Sequence, residues 1–485
     1  MSRVVVLGAG VSGHTAASFL KKFLGKKHEV VVVSPNSKWN WIPSNIWVGV
    51  GAKRPEDVTF ELAPVYKKAG IEFKQAKALG IYPEGGSQDD KPFVSIEYTD
   101  EKKAGVSENV YYDYLINATG PKLNFAATEG LGPDKNSLSV CTVSHATQTC
   151  GELKKMIQDM KNGKEKRFVI GTGHGTATCQ GAAFEYMMNV NETLVEARVR
   201  DKAKLTWISN EFEMGDFGMG GINIKKGGYI TSGKIFMESL FAEKGISWIT
   251  KAHIVKVEPE KIHYETLNGD FKELGFDFAM LLPPFAGSGL KAYNKKDEDI
   301  TPSLFAPNGF MKVDANYDAK SYEEWTSEDW PKTLQNQVYK NIFAVGIAFA
   351  PPHAISKPMK SPNGTPIFPA PPRTGTPSAM MGKTVALSIT GMIKKGNDKP
   401  VYTASMAEEG APCFVSIGTG FFSGMAASMA VYPVVPDFKR FPDYGRDINL
   451  TFGEVGLAGH WIKTMLHYMF LYKAKLKPGW FFIPE

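Results

Sequence analysis

The chain has 485 residues, room for about three domains, and its 43% hydrophobic and 22% charged residues are those of a globular protein with a large core. A net charge of +6 is too small to point to nucleic acid, and it favours an anionic lipid surface only where lysines cluster. Four cysteines without C-x-x-C spacing exclude a disulfide scaffold and a zinc-ligand pattern, so no metal is expected. No run of about 18 apolar residues marks a spanning helix, and the N-terminus carries no signal-peptide pattern.

Arg3 to Leu7 reads as a buried parallel strand. Gly8-Ala-Gly10-Val-Ser-Gly13 follows, and then a helix with Ala16, Ala17, Leu20 and Phe23 on one face. Strand, G-x-G-x-x-G and helix form a dinucleotide fingerprint. Gly8 permits the tight turn, Gly10 lets a pyrophosphate approach the backbone, and Gly13 lets the helix pack on the strand. A second strand runs from His28 to Val33. The position that usually holds an acid for the ribose reads Ser34-Pro35-Asn36, leaving an uncharged hydroxyl or amide for that contact.

Tyr112 to Gly120 is a strand ending in Ala118-Thr119-Gly120, which resembles the A-T-G return of flavoproteins with two dinucleotide domains. A second strand–glycine–helix unit begins at Arg167 and reads Gly171-Thr-Gly173-His-Gly175-Thr-Ala-Thr-Cys179. Its third glycine is displaced, Cys179 falls in the first helical turns, and the next strand, Lys204 to Ile208, ends in Ser209-Asn210 without an acid. The second domain is expected to be present with nicotinamide binding lost. Near Gly346, Ile347 replaces the acid that generic flavoproteins direct at the ribityl chain, so backbone N–H groups are expected to substitute.

The C-terminus, Gly459 to Lys473, fits an amphipathic helix. Trp461, Ile462, Met465, Leu466, Met469 and Phe470 recur at helical spacing, with Lys463, His467 and Lys473 elsewhere on the wheel. Lys475, Lys477, Trp480, Phe481 and Phe482 follow, and Phe421, Phe422, Met425 and Met429 add apolar surface. Aromatic and basic residues around a short apolar face suit a helix lying in a lipid interface, although the pattern also suits a helix packed on the core.

Five stretches resemble the sulfide:quinone oxidoreductases: Ser34 to Gly49, with Pro43-Ser44; Ala118 to Phe125, continuing to Cys141-Thr-Val-Ser-His145; Cys179-Gln-Gly-Ala-Ala-Phe-Glu185; Pro372-Arg373-Thr374-Gly375; and Cys413 to Gly418. The resemblance covers nearly the whole chain. It implies an α/β fold of two Rossmann-like, three-layer ββα dinucleotide-binding domains plus a C-terminal membrane-interacting region. The expected divisions are 1–125 and 301–400 for the FAD-binding domain, 126–300 for the second Rossmann-like domain, and 401–485 for the C-terminal region.

It also implies non-covalent or covalent FAD held at Gly8, Gly10, Gly13, Ser34, Pro43, Ser44, Thr119, Gly120, Gly346, Arg373, Thr374 and Gly375. Cys179 and Cys413 are the implied redox pair, Cys141 a third cysteine near the flavin, His145 its neighbour, and Glu185 a proton carrier. Cys150 reads as structural. The family often has a histidine in the loop that here reads Asp216, where an ionised carboxylate changes proton handling. The Pro-rich segment 357–371 is expected to cover the flavin or the quinone entrance.

Sulfide is a soft two-electron donor able to attack a disulfide, which leaves a persulfide and a thiolate. The expected partners are sulfide, a membrane quinone, the lipid surface and a second copy of the chain in a homo-oligomer, with no nucleic acid. A peripheral, monotopic membrane location follows. The helix dipole is expected to favour the Cys179 thiolate. A type II NADH:quinone reductase, a flavocytochrome-type sulfide dehydrogenase and a flavin redox sensor share parts of this frame.

Overall fold

The computed structural model describes residues 1–373 and 375–485. The chain opens with β1 (Arg3–Leu7), α1 (Val11–Leu24) and β2 (Glu29–Ser34), the two strands paired in parallel. Both strands are valine runs buried over their length, because helices cover both faces of a parallel sheet. The sheet continues through β3 (Glu72–Tyr82), β4 (Phe93–Tyr98) and β5 (Ser107–Tyr111), while β6 (Tyr114–Asn117) lies on the other side of β1 and is flanked by the late strand Ile342–Ala344. The short strand Lys291–Ala292 also returns to this sheet, beside β3.

The second sheet follows α2 (Val143–Lys161). It contains β7 (Lys166–Thr172), then α3 (Gln180–Glu196), β8 (Ala203–Ile208), β9 (Ser247–Ile249) and β10 (Phe278–Leu282) in the parallel order β9-β8-β7-β10. A three-stranded antiparallel sheet, Ala252–Glu258, Lys261–Thr266 and Phe271–Gly275, packs a small core of its own against it. The two Rossmann-like units expected from the glycine motifs are thus both present.

α4 (Gly375–Lys395) lies across α1 so closely that a Cβ on Gly382 would stand 2.3 Å from the carbonyl oxygen of Ser12. A third sheet joins the hairpin Asn223–Lys226 and Tyr229–Ser232 to three late strands, β11 (Ala411–Ile417), β12 (Met425–Val431) and β13 (Phe452–Gly456), with β11 at its edge. α5 (Leu457–Ala474) closes the chain over β12 and β11.

α5 is the expected helix, but its wheel is turned. Gly459, His460, Lys463, His467, Leu471, Lys473 and Ala474 are buried, whereas Trp461, Ile462, Met465, Tyr468 and Tyr472 are exposed. Lys463, His467 and Lys473 each have a polar contact that offsets part of their desolvation, such as Lys473 Nζ against Glu485 and the carbonyl of Ile483, whereas His460 Nδ1 is buried without a partner among the described residues. Among the described residues no helix is long and apolar enough to cross a membrane.

Candidate functional site

The first glycine turn is built as a cradle. Gly8 takes a positive φ of 98°, and a Cβ there would stand 2.2 Å from the carbonyl oxygen of Ala118. Gly13 packs against the carbonyl of Gly8, while a Cβ on Gly10 would meet nothing within 4 Å. Closed glycines on either side of an open one leave the helix N-terminus facing free space, as a pyrophosphate requires. Gly120 and Gly375 face open space in the same way. Gly346, at φ 64°, is tight against Ser12 Oγ and directs its turn at α1. These residues fit an extended dinucleotide.

Ser34 is buried at the end of β2, and Thr119 Oγ1 donates to Asn117 Oδ1 at 2.8 Å. Pro43 and Ser44 form a short helical turn after Trp41, in which Ser44 is buried and Pro43 half-buried. Thr374 lies outside the described residues.

The second glycine turn is filled by the protein itself. A Cβ on Gly175 would stand 2.3 Å from the carbonyl oxygen of Pro366, and one on Gly173 would stand 2.6 Å from Leu131. Phe368 N donates to Gly175 O at 2.9 Å, Ala370 N to Ala177 O at 3.2 Å, and Thr178 Oγ1 to Pro371 O at 3.1 Å. Asn210 Nδ2 donates to the carbonyls of Gly175 and Ala177, both at 3.0 Å. The Pro-rich segment therefore straps the second Rossmann turn. Its far end is held by Glu265, which accepts from Thr365 Oγ1 at 2.6 Å and Asn363 Nδ2 at 3.0 Å. The acid missing from the sequence reading is Glu211, next after Ser209-Asn210. It faces inward, accepting from Ser209 Oγ at 2.7 Å and Phe217 N at 2.9 Å, and burial pushes its carboxyl up to about 7.

Cys179 sits one residue before α3 at φ 69°, a left-handed conformation that costs a non-glycine residue about 1 to 2 kcal/mol. The expectation of an eased thiolate is corrected. Burial pushes Cys179 up to about 12, the nearby Cys141 thiol adds to this, and the Arg373 guanidinium opposes it. Burial likewise raises Cys141 to about 11. Burial outweighs a helix terminus here because the half-buried thiol is packed closely by neighbouring atoms. Arg373, expected only at the cofactor, thus stands at Cys179 as well, with Nη1 donating to Phe349 O at 3.3 Å.

Cys413 lies on the edge strand β11. Three polar groups of that edge are met by side chains. Ser416 N donates to Glu185 Oε1 at 3.1 Å, Asn189 Nδ2 donates to Ser416 O at 2.8 Å, and Lys463 Nζ donates to Phe414 O at 2.7 Å. Lys463 also pairs with Glu185, and Trp47 Nε1 donates to Ser416 Oγ at 3.0 Å. Burial pushes the Cys413 thiol up to about 11, with Glu185 adding and Lys463 opposing.

α3 and β11 run in the same sense through these contacts, since Glu185 meets Ser416 and Glu192 meets Gly418. Cys179 lies six residues back along the helix axis, about 9 Å, and Cys413 three residues back along the strand, about 10 Å. Both thiols therefore stand at the same end of the pair. All four cysteines are free, and Cys150 is buried on α2 against Gly51.

His145 stands in the first turn of α2, its ring edge-on to Phe125, and burial lowers its pKa while Asp134 opposes this. Asp216 accepts from Gly218 N at 3.0 Å and from Ser356 Oγ; burial raises its carboxyl and these hydrogen bonds oppose that rise. Among the described residues no cluster suits a metal ion. Lys463, Ser416 and Trp47 escaped sequence reasoning. Their one signal was a lysine inside an otherwise apolar-rich helix.

The pyridine nucleotide-disulphide oxidoreductase family model matches residues 2–225. The chain is 30% identical to a sulfide-quinone reductase of Aquifex aeolicus over 97% of its own length and 91% of that protein's. It is 22% identical to a mitochondrial sulfide:quinone oxidoreductase of Dictyostelium discoideum, over 71% of this chain and 65% of that one. The crystal structure of the Aquifex aeolicus sulfide:quinone oxidoreductase superposes with a TM-score of 0.75 at 28% identity, covering 98% and 92% of the two chains. NDH2 of Plasmodium falciparum, solved with NADH, shares the fold at a TM-score of 0.60 and 14% identity, covering 98% and 96%.

Proposed function

The chain belongs to the sulfide-quinone reductase family of flavin-containing oxidoreductases, and on that premise we propose that it oxidises sulfide at Cys179 and Cys413 and passes the electron pair through FAD to a membrane quinone. The observation that carries the assignment of the thiols is their placement. Each lies at the same end of the α3–β11 contact and each has its own cation, Arg373 for Cys179 and Lys463 for Cys413.

Hydrosulfide attacks one sulfur of the bridged pair, forming a persulfide bond and releasing the other sulfur as a thiolate. A thiolate buried this deeply is costly unless a cation faces it, which is the part Arg373 and Lys463 play. Re-forming the bridge, now one sulfur longer, gives up two electrons. Bound FAD supplies a two-electron acceptor between the thiols and the quinone. Gly10, Gly120 and Gly375 present the open backbone that receives it, and Gly8, Gly13 and Gly346 hold that backbone in place. Cys141 stands close enough to Cys179 for their charges to interact, which suits a reserve sulfur site.

The exposed face of α5 supports lipid contact. Trp461 stacks on Phe421 at 5.8 Å between ring centres, Phe422 is 83% exposed beside it, and Ile462 and Met465 continue the patch. A water-exposed apolar patch rimmed by aromatic side chains is unfavourable unless something covers it, and an acyl layer is the cover that a lipid-soluble acceptor implies.

Anaerobic addition of sulfide to the purified protein tests the proposal. Bleaching of the flavin by sulfide, its re-oxidation by a quinone, and loss of bleaching in Cys179→Ser and Cys413→Ser are the expected results. Rapid bleaching by NADH with none by sulfide contradicts it. Intact mass after denaturation then reads whether the flavin is covalently held.

A further inference from the structure

The inward face of α5 carries more polar chemistry than anchoring a helix needs. His467 is 1% exposed, and its Nδ1 lies 2.8 Å from Oγ of Ser44, itself 1% exposed. Its other nitrogen, Nε2, is buried with no hydrogen-bond partner among the described residues. A buried imidazole nitrogen left unpaired costs about 1 to 3 kcal/mol and calls for a reason. The pair also has a place. An apolar cavity lined by Val11, Trp39, Trp41, Gly375 and Phe470 lies between α5 and the flavin cradle. Ser44 N donates to Trp41 O at 3.1 Å, and Trp41 stacks on Phe470 at 4.9 Å, so Ser44 and His467 adjoin two residues of the cavity's lining without themselves lining it.

The reaction creates a need at this depth. Hydrosulfide, quinone and one further proton give sulfur at the zero-valent level and hydroquinone. The quinone takes up two electrons and two protons, and hydrosulfide supplies both electrons but only one proton. The other proton must come from solvent to a space that α5 shields with its apolar face.

We propose that His467 and Ser44 form a proton relay into the space between α5 and the flavin cradle; the inference rests on the function proposed above. A proton arrives at Nε2, the Nδ1 proton moves to Ser44 Oγ, and the hydroxyl proton of Ser44 moves on to the acceptor. The ring begins and ends neutral, as the two tautomers of imidazole. The surroundings keep it neutral. Burial, with Lys53, Lys463 and Lys475 adding to it and Asp57 alone opposing, lowers its pKa to about 4. Trp47, packed edge-on at 5.6 Å, and Tyr468 at 4.8 Å close the remaining sides without a competing charge. His467 does not touch the cysteines, so it acts on the acceptor half of the reaction through Ser44.

The test uses full-length, flavin-loaded His467→Asn, whose amide can still bond Ser44 but cannot pass a proton through. Quinone reduction with a water-soluble quinone is expected to fall about tenfold to a hundredfold. Its solvent deuterium isotope effect is expected to rise, added imidazole to restore part of the rate, and anaerobic bleaching by sulfide to stay within about twofold. In the unaltered protein, ¹⁵N shifts of His467 are expected to report both tautomers. Unchanged quinone reduction in the variant overturns the relay. So does a variant that loses bleaching and quinone reduction together with its thermal midpoint, or a single fixed tautomer in the unaltered protein. A protein that sulfide never bleaches overturns instead the function on which the relay rests.

Discussion

Lys463 of α5 and Glu185 of α3, 278 positions apart in the chain, form a buried ion pair that fixes the C-terminal helix against the strand of Cys413. The pair is worth little as Coulomb energy set against desolvation, but half of it left alone is expensive.

Glu185→Gln and Lys463→Met are each expected to destabilise the fold by about 3 to 5 kcal/mol. The double variant Glu185→Gln/Lys463→Met is expected to lose clearly less than the sum of the two, because no charge is then stranded. Urea unfolding of the four proteins measures the difference, and additive losses in the double variant contradict the pairing.

Removing either of the thiols proposed as the redox pair is expected to cost far more in activity than in stability. Cys179→Ser and Cys413→Ser should each lower sulfide-dependent quinone reduction by about a thousandfold or more, and the double variant should be no worse, since the two act as a unit. Steady-state rates against unfolding midpoints separate the two effects.

Acid stability follows from histidines buried in their neutral form. Burial lowers His14 and His467 to about 4, whereas unfolded they titrate near 6.5. For a base with a depressed folded pKa, the stability is fully present above the unfolded value and is lost as pH falls. The stability curve is therefore expected to drop between about pH 6.5 and pH 4, and His14→Gln, which keeps an amide near Tyr66 and Ala474, should flatten part of that drop. Chemical denaturation across this range reads it directly.

NADH is expected to leave the flavin oxidised on a timescale at which sulfide has fully reduced it. The segment 366–371 lies on Gly175, Ala177 and Thr178, where a pyrophosphate would have to approach. Stopped-flow absorbance with each donor is the measurement.

Replacing Trp461, Met465 and Phe422 together with serine removes three apolar anchors, each worth about 1.5 to 3 kcal/mol when buried. Binding to anionic vesicles is expected to fall by at least about a hundredfold, while bleaching by sulfide in solution is retained. Vesicle co-sedimentation checks the first and anaerobic titration the second.

Much of this was legible in the residues. Gly8, Gly10 and Gly13 between a valine strand and a helix fixed the first domain, because a turn that tight allows few other arrangements. The degraded second motif suggested compromised nucleotide contacts, but gave no sign that residues 366–371 lie on that turn. That contact joins segments nearly two hundred residues apart, and no local pattern announces it. The wheel of α5 showed which residues share a face but not which face turns inward. Lys463 and His467 look like solvent-facing residues until Glu185 and Ser44 arrive from elsewhere to receive them. Cys179 misled for a related reason: its place at a helix start was readable, whereas the burial that outweighs the helix dipole depends on Cys141, Thr178 and residues beyond position 370.

The edge of β11 has a consequence for how the protein is made. Its outward groups are met by Asn189 and Glu185 from the middle of the chain and by Lys463 from near the end. During synthesis the strand that carries Cys413 can find two of these partners already in place, while the third leaves the ribosome about fifty residues later. The strand of Cys413 is thus fixed at its edge late, after both nucleotide folds have had time to form. A protein truncated before residue 463 would carry a ready-made cofactor cradle and a sulfur site that cannot lock.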